Sequence, residues 1–288
     1  MRIIKRKKGG KEYYYLQHSV RKGNKVITRE KYLGIKIPED IENIKSNFMK
    51  MFEKNLMLKI ESIKANFQKE WEKYPNSIKE KLKEDIAIAF TYNSNAIEGS
   101  TIKLEESREI IHDKISPNKP LRDVKETENH AKVFLSMLEK KEKISSKLLL
   151  KWHQEIFEQT KQDISGKYRE YLVKVGNYLA PDWQDIPKLM DEFVKYINNK
   201  ENSKINPVEL SAIMHYRFEK IHPFGDGNGR IGRLLMNYLL WYNKYPMLII
   251  EYKKRKSYYR ALNKTEDEFV KYFIRRYLAV HKKRLKFN

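Results

Sequence analysis

The sequence predicts a mainly α protein: a helical bundle preceded by a small N-terminal β-meander and interrupted by one short β-hairpin. Three observations carry that reading. Residues 1–37 mix basic, aromatic and aliphatic side chains around glycine turns, the pattern of short strands. From Pro38 onward apolar residues recur at helical spacing, punctuated by proline and glycine. Residues 222–233, His-Pro-Phe-Gly-Asp-Gly-Asn-Gly-Arg-Ile-Gly-Arg, form a glycine-rich turn that runs into a helical pattern at Ile231, Leu234, Leu235, Tyr238 and Leu239.

The elements follow in order. Lys5 to Leu16 reads as strand, Gly9-Gly10 turn, strand, and Ser19 to Thr28 as a second hairpin around Gly23-Asn24. Lys31-Tyr32-Leu33-Gly34 closes the unit. So small a meander cannot build its own core. Its tyrosines 13 to 15 read as cross-strand aromatic pairs, ahead of a base-stacking platform. Pro38-Glu39-Asp40 opens a long helix toward Tyr74, and Pro75-Asn76-Ser77 breaks it. A second helix runs from Ile78 to Ile97 and ends before Gly99, where a glycine just beyond a helix belongs. Helices begin near Val124 and span Leu148–Phe157. The alternation before Pro181 predicts a short hairpin at 173–179. Ile186-Pro187 and Pro207 each open a further helix, the second leading to His222. His215 lies about two turns before His222 and reads as a buried, hydrogen-bonded histidine rather than a second base. A basic amphipathic helix from Phe269 to about Leu285 closes the chain.

Composition narrows the function. With 288 residues the chain can bury a full core. It has no cysteine, which excludes disulfides, thiolate metal sites and a cysteine nucleophile. His215 and His222 suggest a metal pair, but no matching carboxylate spacing supports zinc. The N-terminus lacks the apolar stretch of a signal peptide, and no run reaches membrane-spanning length, so the sequence predicts a cytoplasmic protein with no membrane partner. The net charge of +22 is concentrated at the ends. Residues 1–37 hold twelve Lys/Arg against Glu12 and Glu30, and residues 251–288 hold thirteen against four acids. Basic termini suit solubility or an acidic partner ahead of sequence-specific DNA reading, because no reading motif accompanies them.

The 222–233 string carries the chemistry. His222 is a base near neutral pH. The glycines 225, 227 and 229 tolerate positive φ and let successive N–H groups converge on an anion. A helix N-terminus then adds free N–H groups and a positive dipole end. Asp226 suits a hard cation and two arginines suit phosphate. This is equipment for holding a polyphosphate and moving a proton beside it.

The string matches every position of His-x-Phe-x-Asp/Glu-Gly-Asn-Gly-Arg-x-x-Arg, and on it the chain resembles Fic-domain proteins. At about one in twenty per position, the seven fixed positions arise by chance in about one such chain in several million. The likeness extends over roughly residues 79–275. It implies a Fic-type helical bundle and a protein adenylyltransferase, which moves AMP from ATP onto a Tyr, Ser or Thr hydroxyl of a protein. It implies His222 as the base and Asp226 as the Mg²⁺ ligand. Gly227, Asn228, Gly229, Arg230 and Arg233 then bind the phosphates of ATP, with Phe224 anchoring the loop in the core. Ser94-x-x-x-Glu98-Gly99 resembles the family's inhibitory motif, which implies that Glu98 reaches Arg233 and blocks the γ-phosphate site. The 173–177 stretch, Val173, Lys174, Val175, Gly176 and Asn177, corresponds to the flap that holds a target segment by strand addition. Tyr258 and Asn263 resemble residues on the adenine side.

The expected organisation is a basic β-meander at 1–37, helices with the inhibitory motif at 38–100, and a catalytic core at 101–288. Expected partners are ATP, a target protein, the chain itself as a self-modified substrate, a second copy in a homodimer, and an acidic or nucleic-acid partner at the basic termini. Removal of AMP with Glu98 orienting a water is a further activity the resemblance implies. Two rivals stand beside this reading: a Fic transferase using another donor (phosphate, UMP or phosphocholine), and a nucleic-acid-binding regulator with a nucleotide-sensing site.

Overall fold

The computed structural model describes residues 1–22, 25–199 and 204–285, in two compact units that divide between Lys59 and Ile60. The first unit holds a three-stranded antiparallel sheet of β1 (Arg2–Lys8), β2 (Lys11–Lys22) and β3 (Lys25–Gly34), in that order. Gly9 and Gly10 make the first turn at φ 58° and 74°, the geometry a two-residue hairpin needs. The expected turn at Gly23-Asn24 lies outside the described residues. Pairing of Arg6 with Tyr13, and of Tyr15 with Tyr32, puts three tyrosines on one face. The Tyr32 ring lies 6.2 Å from Tyr13 and 5.3 Å from Tyr15, so they form cross-strand aromatic pairs. Leu16, on the opposite face, is fully buried.

Helix α1 (Ile41–Lys73) contains the division point. The second unit follows with α2 (Asn76–Ile97), α3 (Leu104–Arg108), α4 (Leu121–Glu139) and α5 (Ser146–Phe157). A hairpin of β4 (Lys174–Val175) and β5 (Tyr178–Leu179) leads to α6 (Ile186–Asn198), α7 (Pro207–Ile221), α8 (Asn228–Tyr242), α9 (Arg255–Leu262) and α10 (Glu266–Val280). Helix α2 starts two residues before the expected Ile78, because Pro75 serves as its N-cap residue. The last helix is shorter than expected. It stops at Val280, since His281 is buried with Nε2 3.1 Å from the Met247 carbonyl, and only a 3₁₀ turn follows.

Helix α8 is the axis of this unit. Every residue from Arg230 to Leu240 is buried, as expected of a helix surrounded on all sides. Helices α2, α4, α5 and α7 pack around it. Phe90, Phe134, Phe157, Phe218, Phe224, Leu234 and Leu235 form the centre of the core. Asn237 pins the extended segment after α8: its amide donates to the Leu248 carbonyl at 3.2 Å and its oxygen accepts from the Leu248 N–H at 2.8 Å. Among the described residues no helix is long and apolar enough to cross a membrane.

Phe134 is fully buried and stacks on Phe90 at 4.6 Å. Phe134→Ala should cost about 3–5 kcal/mol, read as a lower urea midpoint at unchanged slope. A loss below about 1 kcal/mol would mean the bundle collapses into the vacated space.

Candidate active site

The site forms where α7 ends and α8 begins. His222 is the C-cap of α7 and sits in the left-handed region, at φ 51° and ψ 58°. That conformation is costly for a residue with a Cβ and persists only where its surroundings impose it. They do so here. The His222 N–H donates to the Phe218 carbonyl at 2.9 Å, and the His222 carbonyl accepts from Arg169 Nε at 2.8 Å. Nδ1 lies 3.3 Å from the Glu219 carbonyl, which favours a proton on Nδ1 and leaves Nε2 as the basic nitrogen. Burial lowers the pKa of His222 below its ordinary value.

Arg169 organises the neighbourhood through backbone carbonyls. It is buried and also donates to the carbonyls of Tyr171 and Pro181, each at 2.6 Å. Both ends of the hairpin are thereby fastened beside His222. The hairpin turns through Gly176-Asn177, with Gly176 at φ 59°, and Ala180 N–H extends the pairing to the Val173 carbonyl at 3.0 Å. Lys174, Val175, Gly176 and Asn177 are exposed and Val173 is half-buried.

The loop from His222 to Gly227 is closed by Asn228. Its oxygen accepts from the Phe224 N–H and its amide donates to the Phe224 carbonyl, both at 2.8 Å. The Asn228 side chain, expected to bind phosphate, is therefore committed to the loop, and its backbone N–H is what faces an anion. Phe224 is fully buried against His153, with ring centroids 4.0 Å apart. His153 is pushed down to about 4, chiefly by burial. Its Nδ1 accepts from the Gly166 N–H at 2.9 Å, so its Nε2–H donates to the Asp226 carbonyl at 3.0 Å.

The glycines serve different ends than expected. Only Gly227 takes a positive φ, 80°, as the N-cap residue of α8. Gly225 and Gly229 supply room instead. A Cβ on Gly225 would overlap the Tyr171 hydroxyl, and one on Gly229 would overlap the Glu98 carboxylate. No side chain caps α8, so the N–H groups of its first turn are available to an anion.

Two ion clusters flank that turn. In the first, buried Arg230 donates to Glu126 of α4 in a short contact. Lys161 bridges Glu126 at 3.0 Å and Asp226 at 2.6 Å. Burial raises the Asp226 carboxyl, but the charges of Arg230 and Lys161 outweigh it and hold the group below its ordinary value. In the second cluster Arg233 is 1% exposed. Its Nη2 donates to Glu98 Oε1 at 2.6 Å and to the Ser94 carbonyl at 3.0 Å, while Nε donates to Ser94 Oγ at 2.9 Å. Gly99, at φ 92°, ends α2 and leaves Glu98 at the helix terminus. The distant residues Ser94, Glu98 and Arg233 thus meet, as the resemblance implied.

The adenine-side residues do not gather in an open cleft. Tyr258 is fully buried, its hydroxyl 2.7 Å from His215 Nε2 and 3.5 Å from Arg233 Nη1, so it braces Arg233 from behind. Asn263 is an exposed C-cap residue of α9. His215 is buried and hydrogen-bonded, pushed down to about 3 by burial with Arg233 adding to it. Several residues here carried no local sequence signal. Glu126 and Lys161 lie far from the string, and only their contacts reveal them. Arg169 and His153 could have been suspected only as an arginine before a hairpin and a histidine on an apolar helix face.

Glu219 is the other such residue. It is largely but not fully buried near Arg233, with 12% of its side chain exposed, and desolvation pushes its carboxyl up to about 7, with Arg233 opposing and Glu98 adding to the rise. In the unfolded chain it titrates near 4.5. Between those values the folded state holds one proton more than the unfolded state, so stability falls as pH rises from about 4.5 to about 7. Glu219→Gln removes that slope. The variant should gain about 1–3 kcal/mol on the parent between pH 4.5 and pH 8, measured by denaturant unfolding. Parallel profiles would mean that Glu219 is ionised in the folded chain.

Comparison with known proteins agrees with this geometry. Residues 143–240 match the Fic/DOC family. The protein adenylyltransferase Fic of Nematostella vectensis is 33% identical over 189 residues, covering 64% of this chain and 44% of that protein. The Drosophila melanogaster protein of the same name is 31% identical over 209 residues, covering 69% and 42%. The chain therefore spans less than half the length of these curated relatives. Among solved structures, a Fic family protein from Desulfovibrio desulfuricans G20 superposes with a TM-score of 0.67 at 27% identity, covering 80% of this chain and 72% of that one. Fic-1 (aa134–508) from C. elegans gives 0.69 at 22% identity, covering 83% and 72%. A matching string, a matching fold and these relatives converge: the chain carries a Fic/DOC family domain over residues 143–240.

Proposed function

We propose that the chain is a protein adenylyltransferase that moves AMP from ATP to a Tyr, Ser or Thr hydroxyl, held in check by Glu98. The observation that carries this is the Glu98–Arg233 pair lying on the uncapped first turn of α8, next to His222. The names of the curated relatives support the same reaction. Intact Arg230 and Arg233 favour it over transfer from other donors.

The residues divide the work as follows. Exposed backbone of the hairpin pairs with an extended target segment and brings its hydroxyl to His222. His222 Nε2 takes the hydroxyl proton. The oxygen bonds to the α-phosphorus of ATP as the α–β bridging bond breaks, leaving AMP on the target and releasing pyrophosphate. N–H groups of Asn228 and Gly229 face the charge that redistributes on the phosphoryl oxygens. Arg230, anchored by Glu126, and Arg233 hold the outer phosphates as planar forks. Among the described residues no three metal-ligating side chains converge. Asp226 offers a carboxylate beside the first turn of α8, which fits Mg²⁺, an ion that takes one or two protein ligands and completes its shell with phosphate and water. When bound, Mg²⁺ offsets charge on the departing pyrophosphate.

Glu98 occupies the place of an outer phosphate on Arg233, so it excludes ATP or leaves it misaligned. In this scheme segment 38–100 carries the brake and segment 101–288 the catalytic core, acting in the cytoplasm on a target protein and on the chain itself.

Self-labelling from α-³²P ATP with Mg²⁺ tests this. Glu98→Gly should raise labelling about ten- to a hundredfold, the scale of one competing charged hydrogen bond removed. Adding His222→Ala should lower it by about 10²–10⁴. An unchanged rate in Glu98→Gly would remove Glu98 from the regulation, and label surviving His222→Ala would remove His222 as the base. The lowered pKa of His222 sets the pH dependence. The neutral base is the active form, so labelling by Glu98→Gly should rise with pH to a plateau whose midpoint lies below 6.5. A midpoint above 6.5 would contradict the assignment.

A further inference from the structure

Lys161 is held in one position with unusual completeness. Its N–H donates to the Phe157 carbonyl at 2.8 Å, fixing it in the turn after α5. Its ammonium lies 4.9 Å from the centre of the Phe157 ring, whose other cationic neighbour is Arg230 at 4.4 Å. From there it contacts Asp226 Oδ2 at 2.6 Å and Glu126 Oε1 at 3.0 Å, with only 18% of its side chain exposed. Arg230 contacts the other oxygen of Glu126 and approaches Asp226 Oδ2 at 3.7 Å. Two cations and two carboxylates thus alternate and balance. Asp226, the proposed ligand of a divalent ion, already has a positive charge in place on the oxygen that is not bonded to Gly227 N–H.

We propose that Lys161 is a built-in counter-ion of the metal site: its ammonium stands in for the divalent cation at Asp226, and the two exchange places when the cation enters. This rests on the reading of Asp226 as the metal ligand. Both charges cannot share Asp226 Oδ2, because an ammonium and a divalent ion a few ångströms apart repel strongly even in partly solvated surroundings. Without nucleotide the displaced ammonium keeps only Glu126, which Arg230 already engages. With nucleotide, the incoming phosphates give it a new acceptor. Lys161 therefore disfavours the metal alone and admits it together with a polyphosphate. It acts on the metal through Asp226 and is a positioning residue, not a catalytic one.

The test is binding of Mn²⁺ to the full chain without nucleotide, read from the loss of the free-ion EPR signal. Lys161→Met should bind Mn²⁺ about tenfold more tightly than the parent, the scale of one like-charge contact removed. Lys161→Arg keeps the charge and should bind as weakly as the parent, which separates charge from simple loosening of the turn. Lys161→Met/Asp226→Asn should lose the gain. Equal or weaker binding by Lys161→Met, or a gain that survives Asp226→Asn, would overturn the proposal. Because no ATP is present, the result stands apart from AMP transfer: labelling could fail while Lys161 still governs the metal, and the reverse.

Discussion

A guanidinium with almost no access to water must find acceptors inside the protein, and Arg233 is such a group. Much of the site follows from that demand. Arg233 lies one turn into α8, on the face that receives α2. Two acceptors come from Ser94 and a charge from Glu98, so the same contacts that satisfy Arg233 fasten the end of α2 to the start of α8. Tyr258 closes the back of the pocket, hydrogen-bonded in turn to a histidine kept neutral by burial. The Glu98 contact is thus one solution to a burial problem set by Arg233 itself.

The two arginines of the string meet that demand differently. Arg230 is paired with Glu126, which extends from the middle of α4 and is itself buried. Burial raises that carboxyl, but Arg230 and Lys161 bring it below its ordinary value, so it stays ionised. Nothing at that position can leave without unpacking α4. Glu98 instead is the C-cap residue of α2, with 26% of its side chain exposed. Movement of a helix terminus can withdraw it. The fixed pair suits a structural anchor and the terminal pair suits an exchangeable one, a distinction that follows from where each carboxylate is attached.

Much of this was legible in the sequence because it is encoded locally. Helical periodicity located the main helices, Pro75 and Gly99 marked real boundaries, and the string placed His222 and Arg233 before any contact was known. What escaped depends on partners distant in sequence. Gly225 and Gly229 have ordinary backbone angles; they are small because Tyr171 and Glu98 arrive from elsewhere. Asn228 was expected to face phosphate, yet its amide matches the two backbone groups of Phe224. Tyr258 sits in a motif that resembles an adenine contact, but its hydroxyl is drawn into the core by His215. Glu126, Lys161 and Arg169 occur in unremarkable charged stretches, and a charged residue's burial cannot be read from its neighbours in a chain where a third of residues are charged.

The left-handed turn at His222 explains why Arg169 is needed. A histidine in that conformation relaxes unless both sides are held, and the pull comes from α7 on one side and Arg169 on the other. Arg169 also holds both stems of the hairpin, so His222 and the hairpin share one anchor. A further tie runs from Tyr178 in the hairpin to the Lys220 carbonyl at 2.9 Å, two residues before His222. In-line attack tolerates little error in the distance between hydroxyl and base. Referencing both to the same guanidinium fixes their separation through three short backbone contacts, so under the proposed reaction that geometry is set by hydrogen bonds no substrate has to make.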